Sequence, residues 1–175
     1  SCSHCLRGNA KNQDMSFSVI NKILEDVSTI ELVTFSGGEP SLVPDRIEYF
    51  LNWIKEKNIK LKNFCVITNG KIASRKLVQV LVEMYAYTKK FFEIDCSKLV
   101  ISRDQFHKKE IPDVSEAENL YSSLRFFDPN EKLTLTDEEI VNEGRCVDFS
   151  YGHEAYSDSI RLKRDMNGKI VFIFI

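Results

Sequence analysis

The sequence predicts an α/β fold, a parallel sheet wound with helices, and three observations predict it. Short apolar, β-rich runs recur at Ile30–Phe35, Phe64–Ile67 and Leu99–Ile101. Amphipathic stretches with apolar residues at i, i+3 and i+4 lie between them. The step from strand to strand is roughly 33 residues, which suits right-handed βαβ crossovers.

The first helix is signalled by Ser16 or Ser18 ahead of Val19, Ile20, Ile23, Leu24 and Val27. Ile30–Phe35 follows as a strand and stops at Gly37-Gly38. Pro44 suits the first turn of the next helix, where an N–H would be unpaired anyway. Ile47, Phe50, Leu51 and Ile54 give that helix one apolar face, and Asn58 is its expected stop. Phe64–Ile67 reads as a buried strand halted at Asn69-Gly70, and Leu77, Val80, Leu81 and Met84 mark the helix after it. Leu99–Ile101 is the third strand, ending at Ser102-Arg103-Asp104. Ser115-Glu116-Ala117-Glu118 has the capping-box pattern. It predicts a helix with Leu120, Leu124 and Phe127 inward, closed by Pro129, and then a strand at Lys132–Leu135.

After about residue 140 the rhythm changes. Ile160–Lys163 and Ile170–Ile173 flank Asn167-Gly168, a hairpin signal. The expected organisation is a core over 1–140 and a hairpin extension of the same domain over 141–175. The run Val171–Ile175 is very apolar, which suggests a strand that is cut short or buried by something outside this sequence.

An apolar fraction of 43% and a charged fraction of 29% are ordinary for a globular protein. No apolar run approaches the ~20 residues of a membrane helix, and no signal peptide is visible. A formal net charge of −2 gives no electrostatic case for nucleic acid or anionic membrane. Arg161-Leu162-Lys163-Arg164 reads as a solvated strand edge rather than a phosphate patch. Five unevenly spaced cysteines argue against a secreted disulfide framework and for a reducing cytoplasm. Cys65 reads as a small buried thiol, and Cys96 and Cys146 as structural or incidental, so only Cys2 and Cys5 invite chemistry.

Ligands of open α/β sheets and barrels bind outside the carboxyl ends of the strands. Gly37-Gly38-Glu39-Pro40, Thr68-Asn69-Gly70 and Ser102, Asp104 and His107 each follow a strand. Cys2 and Cys5 precede the first helix and would follow a strand upstream of Ser1. By itself Cys2-x-x-Cys5 suits half of a zinc site, a redox dithiol or two thiolates of an iron–sulfur cluster. By itself Gly37–Pro40 is a tight βα turn, with Glu39 favourably placed at the next helix start.

Together these elements resemble the radical S-adenosylmethionine family. Its signature is C-x3-C-x2-C after the first barrel strand and GGEP, or a close variant, after the second. Cys2 and Cys5 match the second and third cysteines, and His4 stands where the family often has an aromatic beside the cofactor. Thr68-Asn69-Gly70 resembles the TNG that often ends the third strand, and Ile101–Asp104 with His107 resembles the region after the fourth. Glu143-Gly144-Arg145-Cys146 is a weaker match to a later element. The likeness covers about residues 1–110. It departs in one respect. The first cysteine would lie four residues before Cys2, ahead of Ser1, and so would the first strand.

The resemblance implies a partial, open (β/α) barrel lacking its first strand and truncated inside the cysteine motif. It implies a [4Fe–4S] cluster held by thiolates including Cys2 and Cys5, with the fourth iron chelated by S-adenosylmethionine. Reductive cleavage of that molecule then yields a 5′-deoxyadenosyl radical that abstracts hydrogen from substrate. Gly37, Gly38, Glu39 and Pro40 would hold the methionyl amino group, Ser102 and Asp104 would lie near the ribose or carboxylate, and Asn69 would border the pocket. His107 reads as a satisfied surface histidine, and His153 is assigned nothing. With two thiolates the cluster would be poorly held, so the polypeptide by itself is expected to be inactive. Expected partners are a small-molecule or peptide substrate and an electron donor such as flavodoxin or ferredoxin, with neither membrane nor nucleic acid. Two alternatives stand beside this: a non-catalytic α/β binding module, and a thiol oxidoreductase using Cys2 and Cys5.

Overall fold

The computed structural model describes residues 14–133 and the short strand Ile173–Phe174. The elements are α1 (Phe17–Leu24), β1 (Thr29–Phe35), a single 3-10 turn (Pro40–Leu42), α2 (Pro44–Glu56), β2 (Lys60–Thr68), α3 (Arg75–Thr88), β3 (Lys98–Ser102), α4 (Gln105–Glu110), α5 (Ser115–Tyr121), β4 (Phe127–Leu133) and β5 (Ile173–Phe174). The sheet order is β4-β3-β2-β1-β5 and every pairing is parallel. The α/β class predicted from the sequence is the class observed.

From β1 to β4, each strand is added on the same side of the one before it. With right-handed crossovers, that order lays all the connecting helices on one face of the sheet. Burial follows the same division. Val33, Phe64, Val66, Leu99 and Ile101 are at most 1% exposed, and the register brings Val33 beside Phe64 and Val66 beside Leu99. On the other face Leu32, Cys65 and Ile67 are only half-buried, while Ile30 and Leu61 at the start of the strands are fully buried. Ile20 and Leu24 of α1, Phe50 and Leu51 of α2, and Leu77 and Leu81 of α3 complete the core. Phe35 meets Phe50 edge-on at 5.4 Å, and Phe64 meets Phe126 at 5.2 Å.

The helix ends follow local chemistry. Ser16, not Ser18, caps α1, its Oγ accepting from Val19 N at 3.4 Å. Pro44 opens α2. Asn58 ends it with φ 54°, while Ile59 N–H bonds Ile54 O at 2.9 Å and Asn58 N–H bonds Lys55 O at 3.3 Å. That pair of bonds is the Schellman closure, with asparagine taking the left-handed position glycine usually fills.

Three expectations are corrected. The Ser115–Glu118 capping box does not form: the N-cap is Val114, and Ser115 N–H bonds Asp113 Oδ1 at 2.9 Å. Asp113 supplies the acceptor one step earlier than the pattern suggests, so Ser115 lies inside the helix. The helix ends at Tyr121, with Ala117 and Tyr121 buried, and Phe127 opens a strand instead of closing a helix face. Pro129 therefore lies within β4, which starts five residues before the expected Lys132. The register jumps there, from Leu99↔Phe127 to Ile101↔Lys132. A bulged edge strand tolerates the missing N–H.

β2 also starts earlier than Phe64, at Lys60. Its polar opening is stabilised across the sheet: Lys62 pairs with Glu31 at 3.0 Å, and Asn63 Nδ2 donates to Glu31 O at 3.3 Å. Ile173–Phe174 pairs with Val33–Thr34, extending the sheet beyond β1. The rest of the expected hairpin, with His153 and Cys146, lies outside the described residues, as do Cys2, His4 and Cys5. No helix among the described residues is long and apolar enough to cross a membrane.

Candidate functional site at the carboxyl ends of the strands

β1 runs out into two successive left-handed residues, Gly37 at φ 78° and Gly38 at φ 70°. A Cβ added to Gly38 would meet nothing within 4 Å, so backbone conformation, not crowding, calls for glycine there. Both glycines are exposed, and a ligand can approach their peptide groups closely. Glu39 then returns to an extended conformation, and Pro40 starts the 3-10 turn that leads into α2.

The Glu39 carboxylate ties two βα turns together. Oε1 accepts from Ser41 N at 3.1 Å and from the Thr68 hydroxyl at 2.6 Å, and Oε2 accepts from Asn69 N at 2.8 Å. Thr68 Oγ1 in turn accepts from Gly70 N at 3.1 Å, and Asn69 Oδ1 accepts from Lys71 N at 2.8 Å. One carboxylate therefore serves donors from the end of β1 and the end of β2. Charge-assisted bonds of this kind are roughly twice as strong as neutral ones.

At the end of β3, Ser102 and Asp104 are buried. Asp104 is the N-cap of α4, its Oδ1 accepting from Phe106 N and His107 N, each at 2.9 Å. Its Oδ2 lies 2.6 Å from His107 Nδ1. His107 keeps 12% of its side chain exposed, a histidine satisfied by a neighbour as expected, though more enclosed than a surface residue. Arg103 donates to Ile111 O at 2.9 Å, tethering the end of α4 to the strand that launched it.

Gly37–Pro40 and Thr68–Asn69 are thus joined by direct bonds. Ser102 and Asp104 follow the neighbouring strand, where Thr68 registers with Ile101. Three further residues belong to the same end, and two of them, Ser41 and Tyr121, are not singled out from the sequence. Thr68, 1% exposed, links Glu39 to Gly70. Ser41 is 5% exposed, and its Oγ is one of two buried side-chain polar atoms without a hydrogen-bond partner among the described residues. Such an orphaned group costs about 1–3 kcal/mol.

Tyr121 is the third, fully buried beneath the β2–α3 turn with its hydroxyl 3.4 Å from Ile72 O. Burial, followed by the negative charge of Glu39, pushes its phenol up to about 12. Unfolded tyrosine releases its proton near pH 10. Between there and about pH 12 the unfolded chain therefore holds fewer protons than the folded one, and stability falls as pH rises. Tyr121→Phe is expected to flatten this alkaline loss relative to wild type, read as urea midpoints from pH 9 to 12 at one temperature. Parallel curves for the two proteins would refute the assignment. Tyr87 and Cys65, whose protons burial also holds on to, titrate in both proteins and cancel in the difference.

No group of three His, Cys, Asp or Glu side chains able to hold a metal ion occurs among the described residues. No protein-family model matches the chain, and neither a curated protein nor a solved structure matches it.

One feature of this end fits a small polar ligand: the exposed left-handed backbone of Gly37–Gly38. Glu39, Asn69 and Asp104 already have internal partners, so their side chains shape the site before any ligand arrives.

Proposed function

We propose that this chain is the core of a radical S-adenosylmethionine enzyme, built as a partial, open (β/α) barrel. The observation that carries the reading is the latch at Glu39, which joins the Gly37–Pro40 turn to Thr68-Asn69 at the carboxyl end of a parallel sheet. From β1 to β4 the strands follow one another in order across the sheet, as a barrel wall requires, and barrel ligands bind at that end. Cys2 and Cys5 would supply thiolates to a [4Fe–4S] cluster, with His4 beside it. Such a cluster would supply the electron for reductive cleavage of S-adenosylmethionine and so for hydrogen abstraction from substrate.

The protein's own part is binding and orientation. The exposed peptide groups of Gly37 and Gly38 receive the amino-acid end of S-adenosylmethionine, and Glu39 holds those groups in place through Ser41, Thr68 and Asn69. Ser102 and Asp104 close the adjacent side toward the ribose. The substrate is a small molecule or a peptide, the electron donor a flavodoxin- or ferredoxin-like protein, and the setting the cytoplasm.

Anaerobic reconstitution of the full-length protein with iron and sulfide, followed by S-adenosylmethionine and dithionite, is expected to yield 5′-deoxyadenosine. Cys5→Ala is expected to reduce that yield to background. One observation favours a second reading, a non-catalytic binding module: the carboxylates at the strand ends are already engaged internally. A protein that takes up no cluster and forms no 5′-deoxyadenosine would decide for the module.

A further inference from the structure

The helices α1, α2 and α3 stand side by side on one face of the sheet. Tyr49 bonds Asn21 at 2.8 Å, Lys55 pairs with Glu83 at 3.0 Å, and Lys76 pairs with Glu48 at 2.6 Å. Thr34, Val100 and Ser102 alternate to the other face, where Thr34 registers with Cys65 and Val100 with Ile67. No helix between β1 and β4 crosses that face, yet Thr34 is 9% exposed, Val100 8% and Ser102 6%. Parallel sheets are covered on both faces.

The strand order says where the cover comes from. β1 to β4 are added in one direction, but β5 stands beyond β1, so the connection from β4 runs back past β3, β2 and β1. Its ends are fixed: Leu133 ends β4 at one edge, and Ile173 opens β5 at the other. A parallel crossover that reverses its direction across the sheet stays right-handed only by passing over the opposite face. The two edges are four strand spacings apart, about 19 Å. A parallel crossover needs roughly a dozen residues, and residues 134–172 far exceed that. They include Ile140, Val141, Val147, Phe149, Ile160 and Leu162, apolar side chains enough to cover a sheet as well as span it.

We propose that residues 134–172 pack across the helix-free face of the sheet and are the cover over Thr34, Val100 and Ser102. That face is then taken by this chain itself and is not offered to a second copy or to another protein. The proposal is independent of the reading under Proposed function, because ligands of such sheets bind beyond the carboxyl ends of the strands.

The test places p-benzoylphenylalanine in the full-length protein at Ile67, half-buried on the helix-free face, and separately at Val82, exposed on α3. After irradiation and digestion, the probe at position 67 is expected to be joined to a peptide from 134–172 of the same chain, and the probe at position 82 to none. Mixed light and heavy isotopic chains tell that link from one to a second copy. A link from position 67 to residues 1–13, to a second copy or to any other segment, no link at all, or the same link from position 82 would overturn the proposal. A bulky probe disturbs packing, so hydrogen exchange of the wild-type protein gives a second reading. Peptides from 134–172 are expected to exchange at least about 10-fold more slowly than an unstructured chain. Exchange at the unstructured rate would overturn the proposal whatever the cross-links give.

Discussion

Glu39→Ala is expected to lower the unfolding free energy by about 2–4 kcal/mol, because three donors lose a charged acceptor at once. Ser41 N, Thr68 Oγ1 and Asn69 N all point at that carboxylate, and the first belongs to a different βα turn from the other two. Glu39→Gln is expected to cost less but not to be neutral. Whichever way the amide is turned, its NH2 group faces a backbone N–H, that of Ser41 or of Asn69. Urea denaturation of both variants measures the loss. A double-mutant cycle with Thr68→Val isolates the 2.6 Å bond and should return a coupling of about 1–2 kcal/mol. A cycle energy near zero would mean that the two turns are held by their strands alone. Affinity for S-adenosylhomocysteine should fall along with stability, since the glycine peptide groups lose their brace.

Gly70→Ala is the second large effect, and it has two separable causes. Gly70 has φ 71°, where an L side chain is strained by about 1–2 kcal/mol. A Cβ there would also lie 3.0 Å from Val114 Cγ1 and 3.1 Å from Ile101 Cγ2, an overpacking worth about 1–3 kcal/mol. The expected total is about 2–5 kcal/mol in urea unfolding. Val114→Ala removes the nearest obstacle, so Gly70→Ala should cost less in that background while keeping its backbone share. The same cost in both backgrounds would show that the contact with Val114 carries nothing. Gly38→Ala makes a useful contrast, having the backbone strain at φ 70° but no crowding.

How much of this was legible in the sequence differs from element to element, for physical reasons. β3 was legible because apolar side chains on a buried parallel strand form a short uninterrupted run, and β1 because β-branched and apolar residues dominate it. The opening of β2 was not, because Lys62 and Asn63 are polar and owe their place to Glu31 on the neighbouring strand. The stretch from Ser115 to Pro129 misled because Leu120, Leu124 and Phe127 keep a helical spacing across a real break at Tyr121. Pro129 looked like a helix stop and proved to be a residue of an edge strand.

The site divides in the same way. Glycines at a strand end announce themselves, and so did Gly37, Gly38 and Gly70. The use made of Glu39 did not, because its partners Thr68 and Asn69 lie on the next strand and a whole helix intervenes. Ser41 carried no signal at all. A hydroxyl without a partner becomes visible only when everything around it has been placed.

The pairing of β5 with β1 sets an order of events during synthesis. β1 gains its inner neighbour, β2, as soon as α2 has folded back, whereas its outer neighbour, Ile173–Phe174, lies far along the chain and is made much later. Until then Val33 and Thr34 present an open row of peptide groups, directly before the glycine turn. An unpaired strand edge is the feature most prone to recruit a foreign strand. The nascent chain therefore passes through a stage in which the turns after β1 and β2 are already latched by Glu39 while the adjacent edge stays sticky. That interval is when a chaperone, or a second nascent copy, would find its opening.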